Sequence, residues 1–247
     1  MSFSVILPTL NEKGHIIELI DEISNIFKIR NTSFEIIIVD DSSIDGTQDV
    51  VENYTLKKNF LKLIKRNLKK RNLAKSIQEG IDKAKFEFVI WMDADFQHPP
   101  KYIDNFIKET SNNNDVIISS RFLLESERYF NSDKLKKEIN ENQSFFFNKL
   151  CRIFLFNDLT DYTSGFICIK KNLLDNFVLN GFYGDYFVKL LVYLKTNNFK
   201  IKEIPFKDEL RASGQSKTLV NLNLKYIYTC LRYFLTLINC ILIKLKK

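Results

Sequence analysis

The first half of the chain alternates short β-branched apolar runs with segments whose apolar residues recur at helical spacing. The apolar runs predict strands at residues 4–7, 34–39, 61–64, 88–92 and 116–119. The segments between them predict helices at residues 15–27, 47–54, 73–84 and 102–109. Such alternation is typical of an α/β fold, in which helices flank a mostly parallel sheet.

The second half is less regular. Residues 131–142 are charged and predict a helix, and residues 144–156 are strongly apolar apart from Lys149 and Arg152. Further along, the pattern predicts a short strand after "TSGF", a helix at 185–195, a strand at 200–204 and an apolar tail. We therefore predict an α/β domain over residues 1–218, including the helix at about 144–156, and a C-terminal apolar and basic helix over 219–247.

Polar and acidic residues follow four of the predicted strands. "PTLNE" follows the first strand, "DDSSIDGT" the second, "DADFQHPP" the fourth and "SSR" the fifth. One such segment alone reads as a solvated loop. Ligands of parallel α/β sheets bind outside the carboxyl ends of the strands. Four polar segments that each follow a strand therefore predict a binding site at that edge of the sheet.

Asp93 and Asp95 lie one residue apart at the end of the fourth predicted strand. Carboxylates are the hard oxygen ligands that Mg²⁺ or Mn²⁺ prefers, and Gln97 adds a neutral oxygen. A DxD triplet alone is a weak signal, but this one ends a strand and precedes two prolines. His98 lies next to a proline and is interpreted as a structural loop residue.

The "VDDSSIDGT" segment has two compatible interpretations. Its Asp41 can accept hydrogen bonds from a ribose or a base, whereas Asp45 can cap the following helix and Gly46 can permit the turn.

Taken in order, "PTLNE", "VDDSSIDGT", "DADFQHPP", "SSR", "TSGF" and "RASGQSK" resemble the motifs of family 2 glycosyltransferases. Within that family, the chain is most similar to the dolichyl-phosphate and polyprenyl-phosphate mannose synthases. The resemblance covers residues 4 to about 218. It implies a GT-A fold and an inverting, metal-dependent transfer of a hexose, with mannose from GDP-mannose first, to a polyprenyl or dolichyl phosphate.

The resemblance also implies roles for individual residues. Those implied to bind the nucleotide sugar are Pro8, Leu10, Glu12, Val39, Asp41, Asp93, Ala94 and Lys217. Those implied to hold Mg²⁺ or Mn²⁺ are Asp93, Asp95 and Gln97. Those implied at the acceptor phosphate are Arg121, Arg128, Ser164 and Arg211. Those implied to act in the reaction are Asp95, Arg121 and Arg211.

The chain departs from the family pattern near the nucleotide. Leu10 stands where relatives often have a tyrosine, so no phenol is available there for the base. Asn72 stands where relatives often have a glycine, and asparagine tolerates a left-handed backbone better than most residues.

The chemistry of the acceptor favours a phosphate over a sugar hydroxyl. A hydroxyl nucleophile needs a general base, whereas a lipid monophosphate is already anionic near neutral pH. Arg121, Arg211 and Lys217 suit a phosphate.

Two apolar segments suggest a membrane partner. Residues 226–243 are near the lower length limit for a spanning helix, but Arg232 and Asn239 interrupt them. We therefore expect a helix that lies on the membrane. Two alternatives remain: a helix that marginally spans the membrane as part of a homo-oligomer, and a core helix packed on the sheet. Residues 144–156 predict a second interfacial helix, with a buried domain helix as its alternative.

The net charge is +7 and the chain has four cysteines without CxxC spacing. The cysteines and the lack of a signal-peptide pattern favour a reducing environment. Together with the two apolar segments, this predicts a membrane-associated protein whose catalytic domain is on the cytoplasmic face. The charge permits nucleic-acid binding, but the acidic sheet edge opposes it and no nucleic-acid partner is expected.

Other functions remain open on sequence grounds. One is a family 2 transferase that uses UDP-glucose or another UDP-sugar, with a lipid phosphate or a glycan as acceptor; a glycan would require a base such as Asp161 or Asp185. Another is a non-catalytic module that binds a nucleotide sugar or a membrane. The sequence speaks against a nicotinamide dehydrogenase because no GxGxxG follows the first strand.

Overall fold

The computed structural model describes residues 1–67, 71–123, 135–181, 183–209 and 224–246. In these residues, helices cover both faces of a seven-stranded sheet. The strands are β1 (Ser2–Thr9), β2 (Ser33–Asp40), β3 (Leu61–Lys65), β4 (Phe88–Trp91), β5 (Val116–Ser120), β6 (Ile167–Lys170) and β7 (Ile201–Pro205). The helices are α1 (Ile16–Ile29), α2 (Thr47–Thr55), α3 (Leu73–Lys83), α4 (Ile103–Ser111), α5 (Leu135–Phe154), α6 (Asp185–Thr196) and α7 (Leu224–Leu245).

Hydrophobic periodicity predicts the helices because each buries one face. In α1 the buried apolar residues are Ile16, Leu19, Ile20, Ile23 and Phe27, which recur every three or four positions. The central strands are buried on both faces, so they are almost continuously apolar. The predicted mostly parallel α/β sheet is confirmed.

The order of strands places the candidate site. The sheet runs β3-β2-β1-β4-β6-β5-β7, so the chain moves outward from β1 to β3 and then returns to place β4 on the other side of β1. A crevice forms where the strand order reverses in this way, at the carboxyl ends of β1 and β4.

One strand runs against the others. β6 pairs antiparallel with both β4 and β5, and the remaining pairs are parallel. The amino end of β6 therefore lies at the same edge as the carboxyl ends of β4 and β5. This reversal brings the "TSGF" segment, residues 163–166, to the site.

The helix α5 corrects the sequence-based division of the second half. The described residues of the predicted helix at 131–142 and most of the predicted apolar helix at 144–156 belong to a single continuous helix, α5. Its inner side reaches the core through Cys151, and Leu155 just beyond its end is also buried.

A close approach between α3 and β1 depends on Gly80. A Cβ at this position would collide with Ile6 and come within 3.2 Å of Val39 Cγ2. We expect Gly80→Ala to lower the free energy of unfolding by about 1–3 kcal/mol, because the overpacked contact forces backbone shifts. Urea unfolding measures the change, with Gly14→Ala as control because nothing lies within 4 Å of a Cβ there.

Candidate active site

The turn after β4, residues 93–98, is held by hydrogen bonds to its backbone. The Asp93 N–H donates to His98 Nδ1 at 3.0 Å, and His15 Nε2 lies 3.0 Å from the Ala94 carbonyl oxygen. The Gln97 N–H donates to Asp95 Oδ1 at 3.1 Å. Both aspartates are thus presented by a well-ordered turn at the carboxyl edge of the sheet.

This turn has the donor chemistry of a magnesium or manganese site. Asp93 is partly exposed, Asp95 is buried and Gln97 is partly buried. Among the described residues, no group of three or more His, Cys, Asp or Glu side chains forms a complete metal cage. Mg²⁺ normally takes one or two carboxylates and completes its shell with waters and substrate phosphates, so these residues fit a metal that is bound together with a diphosphate.

His98 is an internal residue of the turn. Its ring stacks on Phe166 at 4.9 Å between centroids, and the Phe206 ring packs edge-on at 5.7 Å. Burial lowers the pKa of the imidazole to about 4, outweighing the opposite effect of Asp95. His98 is therefore neutral at physiological pH.

Two loops from the first half of the chain, after β1 and β2, carry residues predicted to bind the nucleotide sugar. The loop after β1 donates from Asn11 N to Ser43 Oγ at 2.8 Å and from Lys13 N to Asp45 at 3.0 Å. Asp45 also accepts from the Thr47 N–H at 2.9 Å, and Gly46 has a φ of 91°. Asp45 thus caps the first N–H of α2 from one residue further back than predicted, because the N-cap position itself is Gly46, whose left-handed backbone permits the turn.

Asp41 is oriented by Arg66, which the sequence analysis did not single out, and by Asn72. Its carboxylate pairs with Arg66 and accepts the Asn72 N–H at 3.0 Å. Asn72 does not use the left-handed backbone that asparagine tolerates, since its φ of −172° is extended. Instead, the Asn72 side chain caps α3 by accepting from Lys75 N and donates to the Gly181 carbonyl at 2.8 Å.

Glu12 connects the loop before α2 to the turn at residues 93–98. Its carboxylate lies 3.1 Å from His15 Nε2, which also contacts the Ala94 carbonyl. The Glu12 N–H donates to Thr47 Oγ1 at 2.9 Å.

The remaining residues predicted on the nucleotide side differ in exposure. Pro8 and Leu10 are partly buried at the end of β1, and Ala94 is buried in the turn. Val39 has no exposed surface and packs in the core with Ile6 and Ile37. In this structure the Val39 side chain belongs to the core and offers no surface to a ligand. Asp41 is the polar residue that follows β2.

Arg121 forms a two-pronged ion pair with Asp161. Its Nε and Nη2 donate to the two carboxylate oxygens at 2.9 Å each, and Nη2 also donates to Thr163 Oγ1 at 2.8 Å. Burial alone would lower the pKa of Arg121 and raise that of Asp161. Their mutual attraction prevails, so the pKa of Arg121 is raised and that of Asp161 is lowered.

One guanidinium nitrogen of Arg121 is not used in these bonds. Among the described residues, Nη1 has no hydrogen-bond partner, and the side chain is 26% exposed. Ser164 lies nearby in "TSGF" and is buried, with its Oγ accepting from Phe166 N at 3.2 Å.

The two carboxylates considered as bases for a glycan acceptor are engaged elsewhere. Asp161 is fully buried against Arg121. Asp185 is 1% exposed; it accepts from Tyr183 N at 2.9 Å and lies 3.5 Å from Lys189 Nζ. Neither presents a carboxylate to a sugar hydroxyl in this structure.

Arg128, Arg211 and Lys217 lie outside the described residues. The described chain before the "RASGQSK" segment ends at Glu209, whose N–H donates to the Gln97 carbonyl at 3.2 Å. Glu209 is thus the last described residue before that segment, and its backbone contacts the turn at residues 93–98.

Sequence reasoning missed three contributors to this geometry: His15, Arg66 and the pairing role of Asp161. His15 lies one helical turn after Glu12, which is only a weak signal. The partners of Arg66 and Asp161 are distant in sequence, at 25 and 40 residues.

Comparison with known proteins identifies the family of the chain. The family model described as "Glycosyl transferase family 2" matches residues 4–177. A dolichol-phosphate mannosyltransferase of Pyrococcus furiosus is 31% identical over 241 residues, covering 97% of this chain and 64% of that protein. One of Mycosarcoma maydis is 26% identical, covering 92% of this chain and 76% of that protein. The chain thus spans less than two thirds of the length of the archaeal relative.

Solved structures share the fold at low identity. Glucosyl-3-phosphoglycerate synthase of Mycobacterium tuberculosis, crystallised with Mn²⁺, UDP and glucosyl-3-phosphoglycerate, has a TM-score of 0.68 at 16% identity, covering 97% of this chain and 79% of that one. S. aureus TarS has a TM-score of 0.56 at 21% identity, and the match covers 85% of this chain and 59% of the TarS chain. The motifs, the GT-A sheet and the family match agree, and the chain belongs to glycosyl transferase family 2.

Proposed function

We propose that this protein transfers a hexose from a nucleotide sugar to a polyprenyl or dolichyl phosphate, with mannose from GDP-mannose as the first candidate. The observation that carries the proposal is that the turn with Asp93 and Asp95, which suits a divalent metal, lies near Arg121, which suits a phosphate. Asp95 and Arg121 both act electrostatically on the buried His98, so both charges lie close to it. The curated relatives named dolichol-phosphate mannosyltransferase support the acceptor class.

The donor lies, in this proposal, across the carboxyl ends of β1, β2 and β4. Asp41, oriented by Arg66 and Asn72, accepts hydrogen bonds from the ribose or base. Asp93, Asp95 and Gln97 hold Mg²⁺ or Mn²⁺, which supplies positive charge to the leaving diphosphate.

The acceptor phosphate needs cations and no general base. It is anionic near neutral pH, and its oxygen can attack the anomeric carbon from the face opposite the leaving diphosphate. Arg121 offers it the N–H groups of Nη1 while Asp161 and Thr163 hold the rest of the guanidinium. The engaged positions of Asp161 and Asp185 speak against the glycan alternative, which requires a base.

A membrane-facing surface supports the lipid acceptor. By length and composition, Ile227–Leu245 is apolar enough to cross a bilayer, the one such helix in the portion of the chain that the structure describes. However, one side of α7 packs in the core through Leu237 and Cys240. The Tyr233 ring also packs edge-on against Phe147 of α5, with 5.2 Å between the ring centroids. We therefore propose that α7 lies on the membrane, with the catalytic domain on the cytoplasmic face.

The outward sides of α5 and α7 are apolar and exposed. The large exposed residues on them are Phe146, Ile153, Phe154, Ile227, Tyr228, Leu231, Phe234, Leu235, Ile238, Leu242, Ile243 and Leu245. Lys244 joins the two helices by contacting the Leu155 carbonyl at the end of α5. We call these twelve residues the α5–α7 face.

Charged substitutions on the α5–α7 face test the membrane proposal. Insertion of a Leu or Phe into lipid gains about 1.5–3 kcal/mol, so we expect Leu231→Glu or Phe234→Glu to weaken partition into phosphatidylglycerol vesicles by about tenfold or more. Vesicle flotation measures this, with Ile29→Glu as the control because Ile29 is equally apolar and 73% exposed on α1. Equal binding by all three variants would contradict the proposed orientation.

The reaction itself is tested with purified, detergent-solubilised protein. GDP-mannose and UDP-glucose are offered separately with polyprenyl phosphate and Mg²⁺ or Mn²⁺. We expect a glycosylated lipid phosphate from GDP-mannose that disappears on addition of EDTA. A product from UDP-glucose instead would reassign the donor, and nucleotide binding without any lipid product would favour the non-catalytic alternative.

A further inference from the structure

The only two histidines of the chain contact the backbone of the same turn. His15 precedes α1, and its Nε2 lies 3.0 Å from the Ala94 carbonyl oxygen. His98 closes the turn, and its Nδ1 accepts the Asp93 N–H at 3.0 Å. The two contacts bracket the Asp93-Ala94 dipeptide, one at each end.

We propose that His15 and His98 are a pair of positioning residues that fix the metal-binding turn, His15 from the nucleotide side and His98 from the acceptor side. The significance of this pair for transfer rests on the proposed function. The hydrogen bonds and tautomers that define it can be measured without transfer.

The contacts of His15 determine where its proton lies. Nε2 faces the Ala94 carbonyl at 3.0 Å and the Glu12 carboxylate at 3.1 Å. Both neighbours only accept hydrogen bonds, so Nε2 must be protonated. Glu12 in turn is tied to the loop that precedes α2 through Thr47, at 2.9 Å. A displacement of the nucleotide loops is thereby transmitted to the turn.

The contact of His98 determines its tautomer as well. A backbone N–H can only donate, so Nδ1 must be unprotonated and the neutral ring carries its proton on Nε2. The ring is wedged between Phe166 of "TSGF" and Phe206. The acceptor-side segments therefore set the angle from which His98 holds the turn.

Such supports matter because metal ligands are effective only when held in place. Groups that orient the ligands of a metal typically change its affinity by 10–100-fold when they are removed. Here the supported group is the ligand-bearing backbone, and its two supports come from segments 83 residues apart in the chain (98 − 15).

The first experiment is nitrogen NMR of the histidine side chains in the unmodified protein. With two histidines, the ring spectrum contains two spin systems. We expect His98 as the Nε2–H tautomer and His15 with a protonated Nε2. We also expect both to broaden when Mn²⁺ is added with GDP. A His98 ring protonated on Nδ1, or rings that Mn²⁺ and GDP leave unchanged, would overturn the proposal.

The second experiment replaces each histidine by asparagine in one variant and by glutamine in another. The Asn oxygen lies near the former Nδ1 and the Gln nitrogen near the former Nε2. We expect His98→Asn and His15→Gln to retain affinity for Mn²⁺–GDP. We expect His98→Gln and His15→Asn to lose about tenfold in that affinity. In active protein, the same two variants should raise the KM for the nucleotide sugar more than the KM for the lipid phosphate.

Outcomes of the two experiments separate the hypotheses. Equal affinities within each Asn and Gln pair would mean that the rings only fill space, and would overturn the positioning role. Correct tautomers and the expected affinity pattern without any sugar transfer would leave the positioning role intact and contradict the proposed function instead. The spectra of the unmodified protein remain decisive even if a variant does not fold.

Discussion

Asp95→Asn is expected to abolish sugar transfer while leaving the fold intact. Asparagine keeps an oxygen that can accept the Gln97 N–H, so the turn retains its internal hydrogen bond. The substitution removes a negative charge that holds the metal. Metal stabilisation of a leaving group contributes several kcal/mol, and each 1.36 kcal/mol is tenfold, so we expect the rate to fall by about 10³-fold or more.

The measurement is the single-turnover rate with GDP-mannose and polyprenyl phosphate at saturating Mn²⁺, together with Mn²⁺ binding by calorimetry. Asp82→Asn is the matched control, because it removes an exposed carboxylate from α3 outside the site. A rate for Asp95→Asn within tenfold of the unmodified protein would show that Asp95 is not a metal ligand.

Asp161→Asn is expected to destabilise the protein more than any surface charge. The substitution leaves Arg121 partly buried without its partner carboxylate, and loss of one member of a buried ion pair costs about 3–5 kcal/mol. It also weakens transfer, because asparagine keeps only one oxygen and the Arg121 guanidinium loses one of the two carboxylate bonds that orient it. Urea unfolding and the KM for the lipid phosphate measure the two effects.

Two further variants isolate the ion pair. Asp158→Asn, whose carboxylate is 58% exposed beside Lys195, should change stability by less than about 1 kcal/mol. The double variant Arg121→Met with Asp161→Leu should be more stable than Asp161→Asn, because it leaves no unpaired charge. If Asp161→Asn were as stable as Asp158→Asn, the ion pair could not be a structural element of the site.

The contribution of Asp161 should also depend on pH. Arg121 lowers the pKa of Asp161 in the folded protein below its unfolded value of about 4. The stabilisation is therefore fully present above that value and is lost as the pH falls through the lower, folded pKa. We expect the stability difference between the unmodified protein and Asp161→Asn to narrow below about pH 4, which acid-range urea titrations measure.

Local patterns account for what could be predicted. The apolar run at β4 followed by Asp93 and Asp95 predicts a buried strand and an acidic turn at the edge of the sheet, and both follow from residues close in sequence. The capping role of Asp45 is equally local, since it accepts from a residue two positions away. The limit of such reasoning is visible at Asn72, where the residue type tolerates a left-handed backbone but a capping bond selects an extended one.

The sequence by itself determined the α/β alternation, the carboxyl-edge location of the acidic motifs and the family, because periodicity and short motifs are encoded by neighbouring residues. Only the tertiary structure decided which distant groups meet. The antiparallel insertion of β6 brings Asp161 to Arg121, and the packing of α1 beside the turn brings His15 to Ala94, 79 residues away. It also decided that α7 has one side in the core, because the buried face of a uniformly apolar helix depends on what packs against it.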